Sequence, residues 1–517
     1  MTSSRRDGPW VLGIDLGTGS CKSVVVDLQG QVLGFGACGY RTQNVTEQWK
    51  EQDPEALVQG MVRSVQTALK QAQVSPENCQ GISLGGAMHT IMAIDRAGKP
   101  LTGIITWVDE RAALQAQAIR SSSFATDLYQ STGCPVHCIY PLYKIIWLRQ
   151  ERADLFQQAA RFISAKEYAL ARLTGEYLVD PGIAAGSGLL SIEKIEKLEW
   201  NAYALELAGI KPENLSTLQT PLYAHQGIKV ELASAMGLMP TVKVVLGTSD
   251  AVNSSLGAGA LRPDIATCMI GSSGAFRIIA SHPVLDEQAR SWCYPIDEQH
   301  WLVGGAINNG GLALTWLCDW LNQAYLEKAG SAPLAPDDLI HLAGKVHAGA
   351  DGLICLPFLA GERSPNWNMN ARGVFFGLSL EHDLRHMARA LLEGVAFRLR
   401  SVKDVLEENG IIARQIRASG GFTRSELWLQ IISDVMNRPL TVPQWGETSS
   451  LGAAFWVLLA IGAVQSLEKF VELVHLGASY EPNPSEALLY EQLYRVYQEI
   501  YRSSLTPFDH LQTLRPD

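Results

Sequence analysis

One pattern occurs twice in this chain, and it constrains the fold more than any other feature. Val11-Leu-Gly-Ile-Asp15-Leu-Gly17-Thr18-Gly19-Ser20 runs into Cys21-Lys-Ser-Val-Val-Val-Asp27, which is a β-rich run, a glycine turn and a second β-rich run. Ile265-Ala-Thr-Cys-Met-Ile-Gly271-Ser272-Ser273-Gly274-Ala-Phe-Arg-Ile-Ile-Ala repeats it. A third β run follows the turn at Gly30, residues 55–73 have helical spacing, and residues 81–86 read as a strand ending in glycines. In mid-chain an apolar run over 242–246 leads into Gly247-Thr-Ser-Asp250, followed by a small-residue helix over 251–261. Strands alternating with helices predict a layered α/β protein. Two copies so far apart are no short-period repeat array; they predict two domains on one plan, divided near 257 to 262.

At 517 residues the chain has room for two to four domains of about 150 residues each. A composition 47% hydrophobic and 18% charged is globular, which excludes disorder and a coiled coil. Lys plus Arg is 42 and Asp plus Glu 52, a net charge of −10 with no long basic run. That balance excludes a general nucleic-acid binder and favours a small-molecule partner. The nine cysteines are scattered, not a disulfide framework. Cys134 and Cys138, in CPVHC, have no second pair at zinc spacing and read as a reduced loop. No apolar stretch follows the arginines of MTSSRRDGPW, so no secretory leader is expected. The longest apolar run, 451–464, is shorter than the roughly 18 residues that span a bilayer and reads as a helix buried on all sides. A soluble, cytoplasmic protein without membrane contact is expected, with a surface loop over the Pro-Asp stretch 333–338.

The motifs point to phosphate chemistry. No GxxxxGK[ST] is present, which excludes a P-loop. Instead there are glycine turns at strand ends in both halves: Gly17-Thr18-Gly19, Gly271-Ser272-Ser273-Gly274, Asn309-Gly310-Gly311 and Ser419-Gly420-Gly421. Glycine lets backbone N–H groups approach a phosphate without a Cβ in the way, although any one such turn is ordinarily only a turn. Asp15 ends a strand ahead of Gly-Thr-Gly, where a carboxylate suits Mg²⁺ beside phosphates. Asp250, ahead of a helix, is placed to take a proton from a hydroxyl. Each aspartate alone reads first as a helix cap or turn stabiliser, and beside the glycine turns as functional. Met88-His89 and Trp107-Val-Asp109-Glu-Arg111 follow two strands and offer the donors, acceptors and aromatic face that suit a polyol. His382-Asp-Leu-Arg-His386 has the histidine spacing of a zinc protease, but Asp383 stands where the catalytic Glu belongs; it reads as the polar start of an amphipathic helix.

Together these segments resemble the FGGY family of carbohydrate kinases over nearly the whole chain, and within it most closely the gluconokinase branch. The carrying motifs are GIDLGTGSCKSVVVD (13–27), GGAMH (85–89), WVDER (107–111), GTSDA (247–251), GSSG (271–274) and GGFTRSELWLQIISDVM (420–436). YPLYKIIWLRQE (140–151) and GVFFGLSLEHDLRHMARALLEG (373–394) are similar to the family's signature segments, with Ile139 and Leu391 as departures. The resemblance implies two ribonuclease H-like domains of the actin and hexokinase type, 1–257 on the sugar side and 258–517 on the adenosine side, with ATP and sugar between them. It implies Asp250 as catalytic base and Asp15 at Mg²⁺. Thr18, Gly19, Gly271 and Ser272 would meet the ATP phosphates; Gly311, Gly421 and Ser425 would line the adenosine. Ser425 stands where some relatives have Asn. Met88, His89, Trp107 and Asp109 would face the sugar, and Arg111 and His89 are the nearest candidates for a substrate carboxylate. The implied reaction is phosphorylation of the terminal hydroxyl of D-gluconate, with a xylulokinase or other polyol kinase, or a catalytically silent sugar- and nucleotide-binding regulator, as alternatives. A homodimer stays open.

Overall fold

The structure, a computed structural model, describes residues 8–46, 49–325 and 333–514. Residues 1–7, which include the two arginines near the N-terminus, lie outside these. In the N-terminal half, β1 (Trp10–Leu16), β2 (Ser20–Asp27), β3 (Val32–Gly39), β4 (Cys79–Gly86), β5 (Ala224–His225) and β6 (Val244–Val245) form one sheet in the order β5-β6-β4-β1-β2-β3. In the C-terminal half, β7 (Ile265–Ile270), β8 (Gly274–Ala280), β9 (Trp292–Pro295), β10 (Trp301–Ile307), β11 (Gln415–Ser419), β12 (Leu440–Pro443) and β13 (Leu476–Tyr480) run β9-β10-β8-β7-β11-β12-β13. The pairings repeat. β1 pairs antiparallel with β2 and parallel with β4, as β7 pairs antiparallel with β8 and parallel with β11. The duplicated sequence pattern is therefore a duplicated topology.

The strands alternate between two cores, because successive side chains leave opposite faces. On β1, Trp10, Leu12, Ile14 and Leu16 enter a core confined to the N-terminal half, while Val11 enters one that reaches Phe508. The first face is covered by α1 (Pro54–Ala72). Asp53 caps it by accepting from the Glu55 N–H at 2.9 Å, Pro54 begins it, and Leu57, Val58, Met61, Val65 and Ala68 form its buried stripe.

The remaining framing helices are α2 (Pro141–Glu151), α3 (Asp250–Gly257), α4 (Gly311–Tyr325), α5 (Leu384–Glu408), α6 (Glu426–Met436) and α7 (Thr448–Ala460). α7 is the small-residue helix expected from 451–464; it is buried up to Leu458 but ends at Ala460, with Gly462 and Ala463 exposed beyond it, and it packs on α3, β1 and β4 of the other half. Close approach explains its small residues. A Cβ on Gly452 would lie 1.9 Å from the Asn253 carbonyl oxygen, and one on Gly13 would lie 2.1 Å from that of Ser450. Trp456 Nε1 donates to Asn253 Oδ1 at 2.9 Å, locking α7 to α3.

Two expectations shift. The stretch 333–338 is not wholly loop, because a helix over Pro336–Ala343 starts within it. Proline suits the first helical position, and Asp337 and Asp338 complement the helix dipole. The helix expected over 251–261 is α3 and ends at Gly257. Cys134 and Cys138 are buried and free, and among the described residues no cluster of His, Cys, Asp or Glu could hold a metal on its own. His386 hydrogen-bonds Asp383 at 2.9 Å, where Asp383 caps α5, and Asp351 at 3.2 Å; this accounts for the HDLRH segment without zinc. No described helix is long and apolar enough to cross a membrane.

Candidate active site

The parallel core of the N-terminal sheet delivers two carboxylates to one place. Asp15 stands near the end of β1 and Asp250 opens α3, and Asp15 feels the charge of Asp250. The capping role open to Asp250 belongs instead to Ser249, whose hydroxyl accepts from the Val252 N–H at 3.3 Å. The Asp250 carboxylate accepts from the Ala251 N–H at 2.7 Å and, from the distant GGAMH segment, from the Met88 N–H. Burial pushes it up to about 6, against the pull of buried Arg277 from β8. The loop before it is held by Asp180, which accepts from Thr248 Oγ1 at 2.7 Å and pairs with buried Lys166 at 2.6 Å.

Asp15 is 7% exposed, and its Oδ1 has no hydrogen-bond partner among the described residues. A turn-stabilising aspartate would be paired, so that reading fails. Burial and the neighbouring Asp250 push its carboxyl up to about 7, with Lys22 and the Ser449 hydroxyl opposing. A buried carboxylate oxygen without a donor is an unfavourable arrangement that a cation relieves. With only two aspartates here, the donor set fits Mg²⁺ that is completed by water and phosphate oxygens.

The glycine turns divide into packed and open positions. A Cβ on Gly19 or Gly421 would meet nothing within 4 Å, and one on Gly271 only the Met269 sulfur at 3.9 Å. These three border free space that a ligand can enter. Gly310 and Gly311, by contrast, are spent on packing: their N–H groups donate to Ser272 O at 3.0 Å and Gly271 O at 2.7 Å. Gly311 and Ser272 therefore sit together, with the Gly311 amide already used. Ser425 caps α6, accepting from the Trp428 N–H at 3.1 Å, which leaves its hydroxyl proton available as a donor.

On the other side, Trp107 Nε1 donates to Thr18 Oγ1 at 3.0 Å, joining the polyol motif to the first glycine turn. His89, half-buried and left-handed at φ 61°, donates from Nδ1 to the Gly186 carbonyl at 2.7 Å. Its Nε2 is left as an acceptor, and burial holds the ring neutral by pushing it down to about 3. Met88 is buried beneath it, its methyl against Gly186. Asp109 and Arg111 come together as a buried ion pair. Asp109 is fully buried, and the guanidinium binds it at 2.8 Å and Glu51 at 2.8 Å while lying against the rings of Trp49 and Trp147. The substrate carboxylate offered to Arg111 and His89 on sequence grounds thus has neither: one cation is already matched and the other group is uncharged. Spacing within WVDER carries no sign of this, because Glu51 and the two tryptophans are distant in sequence.

Sequence reasoning also missed Lys144 on α2. It is fully buried and donates to the carbonyls of Thr106 at 2.6 Å, Ile139 at 3.1 Å and His89 at 3.3 Å, tying the two polyol segments together. Ser449 on α7 and Arg277 on β8 were missed as well, since each acts across the halves.

The model for the N-terminal domain of the FGGY family of carbohydrate kinases matches residues 10–257, and that for its C-terminal domain matches 266–461. The chain belongs to the FGGY family of carbohydrate kinases. It is 38% identical over 481 residues to a gluconokinase of Bacillus subtilis (strain 168), covering 92% of each chain. A solved gluconate kinase from Lactobacillus acidophilus superposes with a TM-score of 0.89 at 31% identity, over 97% of this chain and 99% of the other. A ligand-bound xylulose kinase from the same organism gives 0.90 at 31%, over 97% and 100%. This FGGY protein is therefore a carbohydrate kinase of the two-domain actin- and hexokinase-like fold, with ATP as phosphoryl donor and a small-molecule sugar as acceptor.

Proposed function

We propose that this FGGY kinase phosphorylates the terminal hydroxyl of D-gluconate, giving 6-phospho-D-gluconate and ADP, with Asp250 as general base. The observation that carries the reading is the Asp250 carboxylate, relieved of capping by Ser249 and facing Asp15 at the meeting of the two halves. Asp250 accepts the hydroxyl proton as that oxygen attacks the γ-phosphorus and the bond to ADP breaks. Thr18, Gly19, Gly271 and Ser272 offer backbone and hydroxyl donors to the phosphates, and Gly421 and Ser425 face the adenosine. Asp15 would hold Mg²⁺, mostly through water; the ion, when bound, offsets phosphate charge. His89 Nε2 accepts from an acceptor hydroxyl, and Trp107 covers its C–H face. Closure of the halves on both substrates excludes water as a competing acceptor. An enzyme that draws on ATP in this way works in the cytoplasm.

Gluconate is favoured by the 38% identity to a gluconokinase and by Thr90 after GGAMH. Xylulose is the second reading, since the solved xylulose kinase superposes as well as the gluconate kinase. A silent regulator has no use for the paired aspartates. The test is ADP release with Mg-ATP against gluconate, xylulose, ribulose, glycerol and a sugar-free blank. A gluconate rate well above the rest is expected; a xylulose rate above the gluconate rate would overturn the assignment.

A further inference from the structure

If the acceptor is an acid, its carboxylate needs a cation, and Arg111 and His89 do not supply one. The C-terminal half presents another. Arg363 is 6% exposed, and its guanidinium lies over the half-buried Trp107 ring, 4.6 Å from the centroid. Its Nη2 donates to the Ile307 carbonyl at 2.9 Å, while its Nε, also buried, has no partner among the described residues. No carboxylate lies in ion-pair contact with it among the described residues. The adjacent Glu362 is matched by Arg398 at 2.6 Å and accepts from Asn309 Nδ2 at 3.1 Å. A buried, always-charged fork with an unused N–H is costly unless a ligand completes it.

Its loop is fixed on both sides. Ser364 N–H donates to Ala306 O at 3.0 Å, and Glu362 N–H to Asn368 O at 2.8 Å. Arg398 Nη1 reaches Asn366 Oδ1 at 2.6 Å. Arg363 is therefore held in place before any ligand arrives. Its neighbours on the N-terminal half are Trp107, beneath its guanidinium, and His89. Arg277 is the cation felt by Asp250, whereas Arg363 is felt by His89 and by the Tyr140 and Tyr294 hydroxyls, which bond each other at 2.9 Å. An open-chain acid with its terminal hydroxyl at Asp250 and its hydroxyls along His89 and Trp107 ends in this direction.

We infer that Arg363 is the specificity residue for an acidic acceptor, binding the carboxylate end of the sugar acid from the C-terminal half while Trp107 carries its guanidinium. The inference rests on the gluconate reading above and names the group that selects it. A charge-assisted, two-pronged contact of this kind changes affinity by about ten- to a hundredfold.

The experiment compares calorimetric binding of D-gluconate and of D-glucitol, the same carbon chain with CH₂OH in place of the carboxylate. The proteins are the full-length enzyme and its Arg363→Met and Arg363→Lys variants, each checked for folding by circular dichroism. The wild type is expected to prefer gluconate, with that preference cut at least tenfold in Arg363→Met and partly kept in Arg363→Lys. An unchanged gluconate-to-glucitol ratio in Arg363→Met would make Arg363 a packing residue and overturn the inference, with the gluconate reading intact. A wild type without any preference for gluconate would instead overturn both. If Arg363→Met does not fold, Arg363→Lys and Arg363→Gln decide by the same ratio.

Discussion

Asp250 and Asp15 carry opposite consequences of one environment. Both are raised, so with Asp250 as the proposed base the enzyme must reach a higher pH than an exposed carboxylate requires before that base is free. The acid limb of kcat is expected near pH 6 instead of near the usual 3.8, measurable as a pH–rate profile with gluconate. Asp250→Asn keeps the shape and removes the proton acceptor; kcat should fall by about 10²- to 10⁴-fold while ATP binding by calorimetry is largely retained. Substantial residual turnover would remove Asp250 from the role. Asp15 matters for stability too. Folded, it keeps its proton up to about 7, whereas the unfolded chain loses it near 3.8. The folded state therefore binds more protons between those values, and its stability falls as pH rises through them. Without Mg²⁺, Asp15→Asn should melt at a higher temperature than wild type at pH 8. Each tenfold difference in proton affinity between the folded and unfolded states is worth about 1.4 kcal/mol, so the gain is on the order of a few kcal/mol. The gap should close at pH 4, and equal melting temperatures at both pH values would contradict this. Both aspartates were legible as candidates because they stand beside glycine turns in short motifs. Arg363, Lys144 and Ser449 were not, because each is an ordinary residue locally and acquires its role from partners far away in sequence.

At the scale of elements, the strand–turn–strand units were readable because alternation and glycine are local signals. The 333–338 stretch misled for a local reason as well: Pro and Asp favour both turns and the first turn of a helix, and only the apolar residues after them, Leu339 above all, decide. The contact between α7 and α3 was half legible. The small-residue run announced a buried helix, but not that it lies on the other half's sheet. Its packing allows a sharp test. Gly452→Val places carbon against the Asn253 backbone, so it should cost about 3 kcal/mol or more and lower kcat by displacing the helix that begins at Asp250. Gly446→Ala, six residues earlier and with nothing within 4 Å of the added carbon, should stay within about 0.5 kcal/mol. Thermal melts and rates of the two variants check both outcomes. A well-folded, active Gly452→Val would show that α7 and α3 are not in close contact.

The molecule as a whole is less divisible than its duplicated plan implies. The sheets are copies in topology, yet one core extends from Val11 to Phe508, and α7, from near the end of the chain, covers the β1 and β4 face of the N-terminal sheet. Val457 lies over Gly81, and Ala454 over Gly13, in contacts that no residue before 258 could replace. The segments over 120–133 of the N-terminal half are stitched to the other half as well. Cys293 N–H donates to Gly133 O at 3.0 Å, Tyr129 Oη donates to Ser291 O at 2.9 Å, and Arg120 Nη1 donates to Trp367 O at 2.8 Å. A sequence pattern reports which strands resemble each other, not which helix fills the groove between them, so this sharing could not be read beforehand. It has a measurable consequence. Residues 1–257 produced alone would expose the apolar face that α7 covers, and burial of such a face is the main favourable term in folding. The fragment should lack near-ultraviolet circular dichroism and a cooperative melt, while the full chain unfolds in one calorimetric transition. A fragment that melts cooperatively would show that the N-terminal sheet needs no helix from the other half, and the full chain should then unfold in two steps.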